Sequence, residues 1–376
     1  MEQDFRVSLT FDDVLLRPGF SDFGRDEIDL GAQLTRKIRL ETPVVAAPMD
    51  TVCESGLAIA LAREGGIGFI HRNLTADGQA DEVRLVKKEG LPVGAAVGSS
   101  AGYETRVETL VDAGVDVLLV DSAHGHSKKV IGALEWIKKN TDVEVVAGNV
   151  STTEGARALV DAGADGLRVG MGPGAICTTR IVSGMGVPQL SALMETTAVG
   201  RAHGVPVIAD GGIRYSGDIT KALAIGASTV MLGRLLASTR EAPGKTVQLG
   251  PEEVPDRFKS ILDGSHEYCF KEYRGMGSVA AMQRGIKISS EDEFHGKNYT
   301  GDVLVAEGVE GLVPCNGTVH DAVTLLMGGV TSGFYYIGAR SVAEAWKIAQ
   351  FHRITQASLS ESHPHDLFVT NTGGNY

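Results

Sequence analysis

The sequence has 376 residues, of which 43% are hydrophobic, enough for one large domain or two ordinary ones with a buried core. Its formal net charge of −12 argues against a broad polyanion-binding surface, although it leaves room for a small phosphate site. The four cysteines show no metal-ligand spacing, so neither a disulfide scaffold nor a zinc site is expected. A polar N-terminus and the lack of any apolar run near 20 residues complete the prediction of a cytoplasmic protein in a reducing compartment.

Eight short apolar runs recur along the chain, each followed by an amphipathic stretch. They cover residues 44–48, 67–71, 93–97, 117–121, 143–148, 166–169, 206–210 and 229–233. This alternation predicts parallel strands joined by helices. Eight such units fit a (β/α)8 TIM barrel, with a doubly wound sheet as the competing architecture. Most of the runs end in polar residues or glycine, which favours the barrel, because barrels gather their chemistry at the C-terminal ends of the strands.

Two later segments depart from this alternation. Residues 250–313 are rich in glycine and charge and are predicted to be a mobile flap, because long irregular segments in compact domains are usually functional or disordered. The tail at 358–376 is polar and is predicted to be an extended end that a neighbouring subunit could hold. We therefore expect a single catalytic barrel domain over residues 1–376, carrying a flap and a tail.

A thiol lies in a glycine-rich loop directly after the sixth apolar run. Cys177 belongs to the stretch RVGMGPGAICTTR at 168–180. Glycine-rich backbone can approach a ligand closely and turn N–H groups or carbonyls toward it, and a thiolate there can attack an electrophilic carbon. Cys177 is therefore a candidate nucleophile, and the alternative is a small cysteine buried in a structural turn.

Several segments together resemble the IMP dehydrogenase and GMP reductase family. The family's active-site loop is similar to GPGAICTTR at 172–180, its phosphate-binding turn to DGGIRYSGD at 210–218, and its purine-contacting segment to YRGMGS at 273–278 with Ala281 and Met282. The likeness extends from Leu9 to near the C-terminus and includes EGVEG at 307–311. DSAHGHS at 121–127 and ESHPHD at 361–366 favour the dehydrogenase branch.

The resemblance also bears on domain organisation. Dehydrogenases of this family usually carry a pair of CBS domains inserted after the second barrel strand. Here only residues 74–92 join the second predicted strand to the third, a length that suits one helix. No CBS domains are therefore expected.

The resemblance implies a covalent oxidoreductase mechanism at the purine. Cys177 would add to C2, and hydride would pass between C2 and a nicotinamide cofactor, NAD or NADP. The thioimidate would be hydrolysed in a dehydrogenase, or formed by loss of ammonia in a reductase. Thr179 and Glu307 would form a proton relay, and the alternative for Glu307 is a surface position in a glycine-rich loop.

The remaining site residues are implied by the same resemblance. Substrate contacts are expected at Asp210, Gly211, Gly212, Gly233, Arg234, Tyr273, Met276 and Gly277. Cofactor contacts are expected at Asp121, Ser122, Arg168 and Gly170. A potassium ion would be held by the carbonyls of Gly172, Gly174 and Cys177 and by Glu361, Ser362 and His363 from a neighbour's tail, within a homotetramer. For Asp210 with its glycines a simple turn is the alternative, and for Asp121 a helix cap.

Three differences from the family pattern involve four positions. By spacing, Asp292 and Glu293 occupy the place of the flap Arg-Tyr pair that activates water in dehydrogenases, which raises GMP reduction as the second hypothesis. Ala175 and Arg234 stand where phosphate-contacting serines are usual. Because Arg binds phosphate bidentately, Arg234 could compensate for Ala175 or could instead point to solvent. A third hypothesis is a nucleotide-binding barrel without catalysis.

Overall fold

The computed structural model describes residues 5–288, 305–367 and 369. Its strands are β1 (Val14–Leu16), β2 (Ala32–Gln33), β3 (Arg39–Leu40), β4 (Val44–Ala46), β5 (Ile67–Ile70), β6 (Gly94–Val97), β7 (Val117–Asp121), β8 (Glu144–Val150), β9 (Gly166–Val169), β10 (Val207–Asp210), β11 (Thr229–Leu232), β12 (Thr246–Leu249), β13 (Tyr268–Arg274), β14 (Glu310–Pro314) and β15 (Phe351–Arg353).

The helices alternate with these strands. They are α1 (Ser55–Arg63), α2 (Ala76–Lys88), α3 (Tyr103–Asp112), α4 (Lys128–Asn140), α5 (Thr153–Asp161), α6 (Thr179–Val182), α7 (Gln189–His203), α8 (Ser216–Ile225), α9 (Arg234–Ala237), α10 (Val279–Ile288), α11 (Val319–Ile337), α12 (Val342–Ile348) and α13 (Gln356–Glu361). Among the described residues, no helix is long and apolar enough to cross a membrane.

The predicted TIM barrel is confirmed. Strands β4 to β11 pair in parallel, in chain order, and β11 closes onto β4. Each lies within two residues of one of the eight apolar runs, because strands covered on both faces read as nearly continuous apolar sequence. Closure of the sheet excludes the doubly wound alternative.

Two hydrophobic layers hold the barrel together. One fills its interior and includes Val45, Phe69, Ile208 and Met231. The other lies between the strands and the surrounding helices. Phe69 is completely buried, and its ring occupies the space that a Cβ at Gly94 would need, with the two only 2.4 Å apart. Glycine at position 94 therefore lets a large ring fill the barrel interior.

Side-chain caps determine where several barrel helices begin. Thr75, Ser127 and Thr152 each accept a hydrogen bond from a backbone N–H in the first turn of α2, α4 and α5, respectively. Thr318 and Asp321 form a reciprocal capping box at the start of α11, which closes the helical ring against α8 and α1. These bonds satisfy N–H groups that a helix cannot pair internally.

The prediction of a flap over the whole of 250–313 is wrong in part. Strands β12, β13 and β14 form an antiparallel sheet with its own small core around Val254, Tyr268 and Phe270. In β13 the large side chains of Tyr268 and Phe270 point to one face, and this short period-two pattern is masked by the charged residues around it. Residues 289–304, with the predicted pair Asp292 and Glu293, lie outside the described residues.

Two connections bear on domain organisation. Helix α2 is the element between β5 and β6, the position where the family's CBS domains would be inserted. The described part of the C-terminal tail forms the short, largely exposed helix α13, which lies near the 3-10 helix Phe11–Asp13. The tail is therefore partly helical where an extended segment was predicted.

Candidate active site

A cavity opens at the C-terminal ends of the barrel strands. All the predicted catalytic, substrate-contacting and cofactor-contacting residues line it, namely Cys177, Thr179, Glu307, Asp210, Gly211, Gly212, Gly233, Arg234, Tyr273, Met276, Gly277, Asp121, Ser122, Arg168 and Gly170. They come from strand ends, from the Cys177 loop and from the segments that flank β13 and β14. Their convergence follows from barrel geometry, which brings the C-terminal ends of all eight strands to one face.

The thiol of Cys177 begins a short chain of hydrogen bonds. Cys177 Sγ donates to Thr179 Oγ1 at 3.2 Å, and Thr179 Oγ1 donates to Glu307 Oε2 at 2.9 Å. Thr179 is buried, whereas Cys177 and Glu307 are half-buried at the cavity wall. The arrangement joins a potential nucleophile to a carboxylate through one hydroxyl group, as a proton relay requires.

Backbone pairing fixes the position of Glu307. Its carbonyl accepts the Thr178 N–H at 3.0 Å, and its own N–H donates to Gly277 O at 3.2 Å. Val309, two residues further along the same segment, donates its N–H to Ile176 O at 3.0 Å. Three loops distant in sequence therefore form one unit around the thiol.

A row of alternating charges forms part of the cavity wall. Asp121 is bound on one side by Arg72, whose Nη2 donates to its carbonyl at 3.0 Å, and on the other by Arg168 Nη1. Arg168 Nε also donates to Asp210 Oδ2 at 3.0 Å, and Asn149 Nδ2 donates to the same oxygen at 2.8 Å. Burial alone would lower the pKa of Arg168, but the charges of Asp210 and Asp121 outweigh it and raise that pKa.

Glycines let the Asp210 turn lie against the thiol loop. Gly211 and Gly212 have φ angles of +89° and +78°, values that side chains rarely adopt. A Cβ at Gly211 would lie 2.8 Å from the Pro173 ring, and one at Gly170 would lie 2.1 Å from Asp210 O. These glycines therefore do form a tight turn, as the alternative interpretation of the sequence held. A turn of this kind can also present backbone N–H groups to an anion.

Arg234 is half-buried beside the cavity, and its Nη2 donates to Arg214 O at 3.4 Å. It lines the cavity at the start of α9, next to Gly233, and Tyr273 lies close by. Burial, together with the charges of Arg257 and Arg214, lowers the pKa of the Arg234 guanidinium. Burial and the charge of Asp210 raise the pKa of the Tyr273 hydroxyl, which therefore stays a neutral donor.

A buried ion pair attaches the antiparallel sheet to the barrel. Asp50, in the turn after β4, is fully buried at its side chain and binds Arg274 at the end of β13 through contacts of 3.0 Å (Nε) and 2.6 Å (Nη2). Asn73 donates a further bond at 2.8 Å. Burial raises the pKa of Asp50, but hydrogen bonding and charge from Arg274 outweigh it, so the net shift is downward. Gly275, Met276 and Gly277 follow directly, so this pair positions the segment expected to contact the purine.

The predicted potassium ligands are only partly brought together. Gly172 and Gly174 lie in the thiol loop, where Gly174 O accepts the Cys177 N–H at 3.1 Å. Glu361, Ser362 and His363 lie at the end of α13 and do not line the cavity of their own chain. In the described part of the chain, His, Cys, Asp and Glu form no cluster of three or more that could hold a metal ion.

Arg72 and Asn149 are two site residues for which the sequence predicted no role. Both line the cavity and support the charged row. Arg72 lies two residues beyond the end of β5, and Asn149 lies near the end of β8. The signal that could have found them is their place at the C-terminal end of a predicted barrel strand, since polar side chains there point toward a barrel's site.

The Asp50–Arg274 pair predicts how stability responds to acid. The folded-state pKa of Asp50 is lowered, so its contribution is complete above the unfolded value of about 3.9 and is lost as the pH falls through the folded value. Asp50→Asn is expected to cost about 3 kcal/mol of unfolding free energy at pH 7, because it leaves Arg274 without its charged partner. Urea unfolding between pH 3 and 7 measures both effects, and the acid-dependent loss should be shallower in the variant.

The matched control is Asp81→Asn, which removes an exposed ion pair with Arg84 and should change stability by about 0.5 kcal/mol or less. Equal losses in the two variants, or an unchanged acid limb in Asp50→Asn, would contradict the proposed attachment of the sheet.

Comparison with known proteins identifies relatives over the whole chain. The model of the family described as IMP dehydrogenase / GMP reductase domain matches residues 8–365. The inosine-5'-monophosphate dehydrogenases of Aquifex aeolicus and Cryptosporidium parvum are each 39% identical, over 100% and 98% of this chain and 99% and 97% of their own lengths. That of Borreliella burgdorferi is 40% identical over 96% of this chain and 98% of its own.

Proposed function

Because the chain belongs to the IMP dehydrogenase / GMP reductase domain family, we propose that it oxidises inosine 5′-monophosphate (IMP) at C2 with NAD and water, producing xanthosine 5′-monophosphate (XMP) and NADH. The observation that carries the proposal is the hydrogen-bonded series of Cys177, Thr179 and Glu307 in the cavity. All the relatives named above are dehydrogenases.

Cys177 acts as the nucleophile. Its proton passes through Thr179 to the Glu307 carboxylate, which their contacts of 3.2 and 2.9 Å support, and the thiolate adds to C2 of the purine. NAD, when bound, supplies the acceptor for the hydride that leaves C2. The product of this half-reaction is a thioimidate between Cys177 and C2.

The second half-reaction removes the purine from the enzyme. Water attacks C2, the bond between C2 and Sγ breaks, and Cys177 leaves as a thiolate that is then protonated. The carboxylate of Glu307 takes a proton of the water through Thr179, after giving up the proton received earlier. One hydride goes to NAD, one oxygen enters the purine, and one proton is released.

The charged wall of the cavity orients the substrate and the cofactor. Arg168 and Asn149 hold one oxygen of Asp210, which leaves the other to accept the ribose hydroxyls. Tyr273, Met276 and Gly277 form the purine side, whose position the Asp50 ion pair fixes. Asp121, Ser122, Arg168 and Gly170 form the nicotinamide side, where Asp121 retains 16% side-chain exposure in spite of two arginine partners.

The phosphate is proposed to bind between the glycine turn and Arg234. Backbone N–H groups of Gly211, Gly212 and Gly233 supply neutral donors. The side chain of Ala175, in the thiol loop, supplies no hydroxyl group. The Arg234 guanidinium lies in the cavity wall and provides the charged contact that the loop lacks.

Potassium and a neighbouring subunit complete the proposal. Carbonyls of Gly172, Gly174 and Cys177 suit a large monovalent cation, and Gly174 O keeps a free lone pair beside its bond to Cys177 N. Because Glu361, Ser362 and His363 do not line the cavity of their own chain, a homotetramer would supply them from a neighbour. Helix α2 as the one helix between β5 and β6 supports a single catalytic domain without CBS domains. The alignment with the Aquifex protein supports it too, because its 505 positions exceed the 376 residues of this chain.

GMP reduction with NADPH is the second candidate. It is favoured by the sequence at 292 and 293, where two carboxylates occupy the place of the pair that activates water in dehydrogenases. The same Cys177 thioimidate would then form by loss of ammonia and accept hydride.

Cytoplasmic location remains a prediction from the cysteine content.

Pre-steady-state kinetics tests the reaction and its direction. The protein is mixed with IMP, NAD and potassium, and NADH absorbance is followed from milliseconds to minutes. Sustained NADH production is expected, and Cys177→Ala should abolish it, because no other residue supplies the nucleophile.

The other outcomes contradict the proposal in different ways. A burst equal to the enzyme concentration, with no further turnover, would mean that the adduct forms but water is not activated. A flat trace combined with NADPH consumption in the presence of GMP would establish the reductase. A flat trace in both assays, or activity retained in Cys177→Ala, would overturn the covalent mechanism.

Arg234 is expected to govern recognition of the phosphate. Arg234→Ser should weaken IMP binding by roughly 10- to 100-fold, the effect of losing a hydrogen bond to a charged group, and leave inosine affinity unchanged. Calorimetric titrations with IMP and inosine measure both. Arg257→Ser is the matched control, since Arg257 is exposed and does not line the cavity. An equal loss for inosine, or no loss for IMP, would show that Arg234 does not bind the phosphate.

A further inference from the structure

Two cysteines outside the active site face each other across the antiparallel sheet. Cys269 lies in β13, and Cys315 directly follows β14. Phe270 pairs with Pro314 in this ladder, so the next pair outward is Cys269 with Cys315, and the Cys315 N–H donates to Cys269 O at 2.9 Å. Residues directly opposite in an antiparallel pair project from the same face. The two thiols are close enough that Cys315 raises the pKa of the Cys269 thiol.

This geometry is compatible with a covalent bond between the two sulfurs. Opposed residues in an antiparallel ladder have Cα atoms about 4.5 to 5.5 Å apart, and disulfides span Cα separations of about 4.4 to 6.8 Å. The backbone therefore does not need to move far for the sulfurs to join.

The surroundings of the pair suit reaction with a small molecule. Both cysteines are half-exposed and line a surface cavity together with Arg240 and Lys271. Lys271 is only 4% exposed, and its ammonium group donates to Ala242 O at 2.6 Å. The charges of Lys271 and Arg240 partly offset the effect of burial on the Cys269 thiol, whose thiolate is the reactive form.

The other two cysteines differ from this pair. Cys53 is completely buried, and burial, with the charges of Glu54 and Glu82, raises the pKa of its thiol, so it is expected to be inert. Cys177 lies in the active-site cavity without an opposed thiol partner and binds Thr179 instead. The chain thus contains one buried thiol, one thiol in the candidate active site and one opposed, accessible pair.

We propose that Cys269 and Cys315 are a thiol–disulfide exchange site, which a small-molecule disulfide of the glutathione type oxidises reversibly. One thiolate attacks the small disulfide, forms a mixed disulfide and releases one small thiolate. The second cysteine then attacks the sulfur of the first, forms the cross-strand disulfide and releases the other small thiolate. Two protein thiols lose two electrons and two protons, and one small disulfide becomes two thiols.

The proximity of the two sulfurs favours the second step of the exchange. Burial and the adjacent Cys315 raise the pKa of the Cys269 thiol, and Lys271 and Arg240 only partly offset this. The low thiolate fraction that follows is offset because the target sulfur lies directly opposite.

The cross-link would act on the sheet and not on the cavity. Cys269 and Cys315 lie at the end of the ladder away from Arg274 and Glu310, which are the residues adjoining the active-site loops. Oxidation is therefore expected to stabilise β13 against β14 and to leave the cavity open.

The test uses the full chain carrying Cys177→Ser, so that oxidation of the active-site thiol does not interfere. After incubation with oxidised glutathione under native conditions, intact mass and peptide mapping are measured. The expected product has lost two hydrogens, carries no glutathione, and contains a Cys269–Cys315 linkage, while Cys53 remains a thiol. Its melting temperature should rise and return to the starting value after dithiothreitol.

Adding Cys269→Ser to the same background gives the discriminating control, because Cys315 should then retain a stable glutathione adduct that cannot be resolved. The proposal is overturned if the parent protein keeps both thiols free, if it stops at a glutathione adduct, or if Cys53 reacts as fast as the pair. The parent measurement decides the question by itself if the second variant does not fold.

Discussion

The active site depends on the backbone pairing of one short segment with two others. Glu307 bonds to Thr178 on one side and to Gly277 on the other, and Val309 continues the pairing to Ile176. None of these contacts requires a particular side chain, so they fix the place of the carboxylate independently of its chemistry. Without them, Glu307 would lie on a loop of its own, more than a hundred residues along the chain from the thiol it serves.

The barrel and the antiparallel sheet each form a different part of the cavity wall. The barrel supplies the charged wall, where arginines alternate with Asp121 and Asp210. The sheet supplies the purine side, and its attachment relies on the buried pair of Asp50 and Arg274. Burying these charges costs desolvation free energy, which their close pairing offsets. The geometry of the site is therefore specified by ion pairs that need both units in place.

The barrel was predictable from the sequence for a physical reason. Strands buried on both faces lack polar residues, so each appears as a short apolar run, and the run ends where the chain reaches the polar face of the barrel. Asp121 and Asp210 end two of these runs, and the family resemblance implied their roles in the site. The sheet was missed because only part of β13 is buried, and the alternation of Tyr268 and Phe270 is short.

Other features depend on tertiary contacts that no local pattern records. Arg72 and Asn149 acquire their roles only when the neighbouring strands bring Asp121 and Asp210 beside them. The surroundings of Arg234 were open from sequence, and the structure places the residue half-buried in the lining of the cavity near Tyr273. The opposition of Cys269 and Cys315 follows from the register of β13 and β14, which two separate segments could not reveal.

The central claim is that the Glu307 carboxylate receives protons from Cys177 and from water through Thr179. Measuring kcat and IMP affinity for Glu307→Gln tests this claim most directly. The amide preserves size and the backbone pairing but cannot accept a proton. We expect kcat to fall by roughly 10²- to 10⁴-fold, with the affinity for IMP unchanged. The control variant Glu195→Gln changes an exposed residue of α7 and should match the unmodified protein in both measurements. A kcat within about threefold of the unmodified protein would contradict the relay.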